Sequence, residues 1–263
     1  VLGLHGYLAA AGLMAVTADT LDRLLGADER WPNPAAMMDP AQSVGRSSDA
    51  RELRLITDDL VALLEAQTPH LIATSGPEEW ERARLYARTA QGLLRYHAGM
   101  ADASPDRVAR LLGVRDGMMA ANLLALAERG FTVVNAHNSH LQREMSSMRL
   151  GDQPFTWWSA GAIAGVHLGT EYAFVATAVG TIRHQGVEEP EPANLEGRLY
   201  ALRQEQFLVD PRDVAALAPQ ARVSPWFGYA ALDPAHLGSI DGLLFVRNAD
   251  RPSIPGWPAN LSS

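Results

Sequence analysis

Apolar positions recur at helical spacing through the first half of the chain and gather into continuous runs in the second. Residues 1–30 carry two short helical patterns. The second follows Thr17, whose hydroxyl can cap a first turn containing Asp19, and runs through Leu21, Leu24 and Leu25 to Gly26. Residues 31–48 are rich in Pro, Asn, Asp, Gly and Ser and read as a long loop. Ser48 or Asp49 then caps a helix through Gln67, with Leu53, Ile56, Leu60, Leu63 and Leu64 on one face. Another helix starts at Pro77 and buries a stripe of Trp80, Ala83, Ala87, Ala90, Leu94 and His97. Its acidic residues come early and its arginines late, as the helix dipole favours. Ser104-Pro105-Asp106 opens a short helix. Arg115-Asp116 ends the next loop and leads into a helix bearing Met118, Met119, Asn122, Leu123 and Leu126, closed by Gly130.

Beyond Gly130 the period changes. Phe131–Val134, Tyr172–Val179 and Leu243–Val246 are continuous β-prone runs, the pattern of strands buried on both faces. Helical patterns separate them at residues 160–168, 194–202 and 213–218. This alternation predicts a helix-rich α/β fold with a mostly parallel central sheet flanked by helices. The expected organisation is a single domain over residues 1–263, mainly helical over 1–130 and strand-bearing over 131–250. The chain opens without Met on a helical pattern already under way, so residues upstream are expected.

Composition narrows the function. No apolar run approaches the roughly 20 residues that cross a bilayer, and no signal-peptide pattern is present, so no membrane partner is expected. With Cys 0 there are no disulfides, thiolate metal ligands or cysteine nucleophiles. Cytoplasmic residence is the default expectation. All 22 basic residues are Arg, which removes Schiff-base chemistry and a P-loop lysine. A net charge of -8 without a basic stripe argues against nucleic acid as partner.

The most informative segment is Val133-Val134-Asn135-Ala136-His137-Asn138-Ser139-His140. It delivers two imidazoles, three residues apart, just past the end of an expected strand, where ligands gather in α/β sheets. Imidazole titrates near neutrality, so it can take a proton from water and return it to a leaving alcohol. Asn138 can donate to an oxyanion or fix a tautomer. The same pair also fits packed or surface histidines, and two imidazoles are too few ligands for a metal site. Arg115 presents a planar fork suited to oxyanions, or simply pairs with Asp116 at a helix start. Asn122 follows on the same helix. Trp157 and Trp158 can line an apolar pocket or, on a helix, fill the core. His184 lies beyond a strand, within possible reach of the site.

These residues carry a family resemblance. Arg115-Asp116-Gly117-Met118-Met119-Ala120-Ala121-Asn122, followed by Ala136-His137-Asn138-Ser139-His140, resembles the erythromycin esterase family. Residues Asp39–Gly45, Trp157–Gly161 and Leu232–Leu237 match it as well, so the likeness covers nearly the whole chain. The resemblance implies a largely helical α/β fold and hydrolysis of a lactone or carboxylic ester by activated water, with neither metal nor other cofactor. In that frame His137, His140 and Arg115 are the catalytic residues, and Asn138, Asn122, Asp116 and Trp158 bind a small-molecule ester. Macrolide lactones are the family's best-known substrates. One departure stands out. The family's Gly-Glu-x-x-His motif has no match, since His5 sits in Gly3-Leu4-His5-Gly6. The competing expectation is therefore a catalytically incompetent ligand-binding or regulatory module of the same fold. A metal-dependent hydrolase built on the histidine pair is a third.

Overall fold

Helical spacing in the first half becomes helices almost where it predicts them. In the computed structural model, which describes residues 1–226 and 228–250, these are α1 (Leu2–Ala10), α2 (Ala18–Leu25), α3 (Ser48–Ala66), α4 (Thr68–Ser75), α5 (Pro77–Met100) and α6 (Arg107–Ala127). Packing divides the chain into two compact units. One comprises Val1–Val134 with Met145–Ala164, and the other Asn135–Glu144 with the chain from Gly165 onward.

The first unit is a helical assembly. Leu4 and Leu8 of α1, Leu60 and Leu64 of α3, Leu71 of α4, and Ala83 and Ala87 of α5 form one buried cluster. Leu21, Leu24, Leu53 and Leu94 form another. Both follow from the apolar stripes, because side chains three and four residues apart share one helix face. The Thr17 hydroxyl accepts from Thr20 N–H, so the expected cap is in place. In α3 the cap is Ser47 rather than Ser48 or Asp49. The α4 helix is additional to the expected set.

Residues 31–48 fold as single 3-10 turns at Pro34–Met37, Pro40–Gln42 and Val44–Arg46. Asn33, Asp39 and Ser43 open them by accepting from the backbone N–H two residues on. Arg107 fastens this loop from inside. Its buried guanidinium donates to the carbonyls of Ala36, Met37 and Met100 at 2.7–3.1 Å. Gly45 lies so close to the end of α5 that a Cβ there would stand 1.8 Å from His97 O. Only glycine permits that approach.

Three expectations change. The two helices expected around Arg115 are one continuous α6, so Arg115 sits in mid-helix and not at a start. Gly113 and Gly117 have open space around them and are tolerated inside the helix. Phe131–Val134 is not a strand. It has no ladder partner among the described residues, and Phe131 is 98% and Val133 82% exposed. Apolar β-branched composition favours a strand only where a neighbouring edge supplies hydrogen bonds. Conversely, Met145–Leu150 (β1) and Gln153–Trp158 (β2) form an unforeseen antiparallel hairpin, with Gly151 at φ +58° in its turn. Trp157 and Trp158 thus lie on a strand, on opposite faces, 6% and 58% exposed.

In the second unit, α7 (Asn138–Leu141) and α8 (Ala160–Leu168), whose last residues belong here, precede a three-stranded sheet in the chain. Its members are β3 (Val175–Thr181), β4 (Gln206–Val209) and β5 (Gly242–Asn248), in the order β3-β5-β4. Helices α9 (Leu195–Tyr200) and α10 (Pro211–Ala215) flank β4 in sequence. The β3 and β5 strands run parallel from Val175 opposite Gly242 to Thr181 opposite Asn248, whereas β4 is antiparallel to β5. Ala176, Ala178, Leu243 and Phe245 are fully buried. The chain is helix-rich α/β, but among the described residues only one of its three strand pairings is parallel. The expected mostly parallel central sheet gives way to two small sheets.

Candidate functional site

The histidine segment is organised within the second unit. His137 caps α7: its Nδ1 lies 3.2 Å from Ser139 N and 2.7 Å from Ser139 Oγ. Its Nε2 lies 3.4 Å from Ala230 N. A neutral imidazole has one N–H, so only one nitrogen can accept at a time. With the proton on Nδ1 donated to Ser139 Oγ, Nε2 keeps its lone pair and faces the Ala230 N–H. With the proton on Nε2, Nδ1 accepts from Ser139 instead. Burial, and secondarily the neighbouring His140, hold the His137 pKa below the usual histidine value. The neutral base is thus the ground state at pH 7. The two rings meet edge-on, centroids 6.4 Å apart.

Asn138 is engaged by the sheet. Thr177 N–H donates to its Oδ1 at 3.0 Å, and its Nδ2 donates to Thr177 O at 2.7 Å. The amide therefore mimics a neighbouring strand on β3 and fixes where α7 begins. One amide hydrogen is left over for other contacts. Arg143 fastens the other end of the segment. It donates to Ser239 O at 2.7 Å, to Asp241 Oδ2 at 2.6 Å and to Tyr172 O. Tyr172 in turn donates to Leu141 O at 2.5 Å, and burial pushes its phenol up to about 12.

Sequence reasoning gave no sign of a second buried polar group in this unit. Glu196 is completely buried at the start of α9, and its carboxyl is held above the usual range by burial. Tyr229 donates to its Oε1 at 2.9 Å while accepting from Val179 N–H at 3.0 Å. Burial also raises the Tyr229 phenol. This residue directly precedes Ala230, whose N–H faces His137. The only available sequence signal was a carboxylate among apolar residues at a helix start, which more often marks a dipole-stabilised surface position. His184 lies 3.4 Å from Asp250 and contributes to an exposed charge cluster with Arg183.

The remaining candidates belong to the first unit, on α6 and β2. Asp116 is fully buried and accepts from Trp157 Nε1 at 2.8 Å, which joins α6 to the hairpin. Arg115, one position earlier and about 100° round the helix, is exposed. The Oδ1 atom of Asn122 is buried without a hydrogen-bond partner, the kind of orphan that a ligand or water satisfies. Trp158 offers an exposed indole face. Among the described residues, no three His, Asp or Glu side chains converge as metal ligands, and no helix is long and apolar enough to cross a membrane.

A family model described as Erythromycin esterase matches residues 3–248. A Bacillus cereus protein of known crystal structure is similar at 16% identity and a TM-score of 0.62, over 94% of this chain and 62% of that one. A mutant of the erythromycin esterase EreC, in its open conformation, is similar at 15% identity and a TM-score of 0.59, over 93% of this chain and 65% of that one. At such identities the likeness is one of fold, and the chain spans less than two thirds of either structure's length. No curated protein matches.

Proposed function

Because the chain belongs to the erythromycin esterase family, we propose that it hydrolyses a carboxylic ester or lactone with water activated by His137. The observation that carries the proposal is the state of that imidazole. It is kept neutral by burial, held beside the Ser139 hydroxyl at 2.7 Å, and set edge-on to a second histidine. In the tautomer that donates Nδ1–H to Ser139, Nε2 takes a proton from water as the oxygen adds to the ester carbonyl. The tetrahedral oxyanion then collapses, and the imidazolium returns the proton to the departing alkoxide, leaving an alcohol and a carboxylic acid that releases its proton to solvent. His140 shares the polar environment of that imidazole. The spare amide hydrogen of Asn138, in the same unit as His137, would contact the ester. Buried Asp116 would hold α6 in position through Trp157. The protein would act on a small molecule in the cytoplasm.

Replacing His137 with Asn should lower kcat for ester or lactone hydrolysis by roughly 100-fold or more, with KM little changed. Equal rates in the two proteins would remove the base from His137. A second reading is a binding module that keeps the fold without turnover. The fact favouring it is that the chain spans less than two thirds of the solved structures it resembles. Ester binding by calorimetry with no product formed would select it.

A further inference from the structure

The helical unit contains a feature that hydrolysis does not use: a cavity of about 350 Å³ with four arginines in its lining, Arg46, Arg51, Arg54 and Arg110, against one carboxylate, Asp102. The lining residues carry three positive charges in excess, and two once Asp106, paired with Arg110, is counted, in a chain whose net charge is -8. Such a reversal of local sign focuses a positive potential.

Part of the wall is fixed. Asp102 accepts from Arg110 at 2.7 Å and from Arg46 at 3.2 Å, and its other oxygen accepts from Ser104 N–H at 3.1 Å. Those bonds hold its carboxyl below the usual range, the Ser104 amide contributing most. Arg110 also pairs with Asp106 at 3.0 Å. The turn that carries Arg46 is seated on the end of α5 by Gly45 and by the Ser43 hydroxyl, which donates to His97 O at 3.2 Å. Arg51 and Arg54 are different. They stand three residues apart on one face of α3, and neither has a carboxylate partner among the described residues. Two uncommitted guanidinium forks beside a pre-set polar wall suit bidentate binding of phosphate oxygens. The volume also lies in the range of small-molecule sites.

We propose that this cavity binds a small phosphorylated molecule carrying two or more negative charges. Arg51 and Arg54 would grip the phosphate, while Arg46 and Arg110, aligned by Asp102, close the side. The proposal is independent of ester hydrolysis, because none of these residues belongs to the histidine segment.

The test is calorimetric titration of the intact chain with pyrophosphate at fixed ionic strength, beside Arg51→Gln, Arg54→Gln and Arg149→Gln. Arg149 lies on β1 outside the cavity lining, and circular dichroism would verify that each variant folds. One saturable site is expected, weakened about tenfold or more by either α3 substitution, since a charged hydrogen bond contributes about that much. Arg149→Gln should leave it unchanged. No saturable binding at millimolar pyrophosphate, or equal weakening by all three substitutions, would overturn the proposal.

Discussion

His137 has two duties that pull on the same atoms. Its Nδ1 lies where it accepts from the Ser139 N–H that opens α7, and its Nε2, 3.4 Å from Ala230 N, is the nitrogen that the proposed mechanism needs as base. The tautomer chooses between them: when the Ser139 hydroxyl accepts from Nδ1–H, Nε2 is left as the base and the backbone cap is given up. Since burial and His140 both lower the His137 pKa, the neutral form persists below the usual histidine titration range. The sign follows directly: activity needs the unprotonated ring, so a depressed pKa extends activity toward acid. The acidic limb of the kcat/KM pH profile should have its midpoint below the ordinary histidine value. A midpoint above the ordinary histidine value would contradict this arrangement. At this scale the sequence showed which residues could do chemistry but not what else occupies them. Asn138 was a plausible oxyanion donor by type, yet most of its amide is committed to Thr177, 39 residues on. Glu196 was invisible because its burial depends on elements far from it in the chain.

Elements with a local cause were legible, and those with a distant cause were not. The stripe of α3 could be read directly, since Leu53, Leu60 and Leu64 are buried together. Residues Ala160–Leu168 form the helix their pattern predicts. The β3 and β5 strands were found with ends shifted by a few residues. Phe131–Val134 had the right composition but no partner edge, while the hairpin β1–β2 was missed because its polar, mixed sequence carries no apolar run. The contrast predicts different mutational costs. Leu60→Ala should destabilise the chain by about 2–5 kcal/mol, because a buried leucine loses both transfer energy and packing. Phe131→Ser should change stability by no more than about 0.5 kcal/mol, because the ring is almost wholly exposed. Thermal or urea unfolding of the two variants checks this. A loss for Phe131→Ser comparable to that for Leu60→Ala would mean that the segment is packed in solution.

At the scale of the whole molecule, the chain combines a mainly helical unit that also holds the β1–β2 hairpin and a unit built on the three-stranded sheet, each with its own buried core. The helix-rich α/β class was legible because helices and strands differ in period. The division into two small sheets was not, because pairing is a long-range choice that composition does not encode. Family membership adds a chemical expectation, while resemblance at 15–16% identity adds only shape. Solvent-oxygen tracing in ¹⁸O-enriched water, with a lactone or ester substrate and mass analysis of the acid product, tests the central claim most directly. Direct hydrolysis predicts one heavy oxygen in the carboxylate, none in the alcohol, and loss of product formation in His137→Asn. Heavy-oxygen incorporation at an undiminished rate in His137→Asn would contradict it.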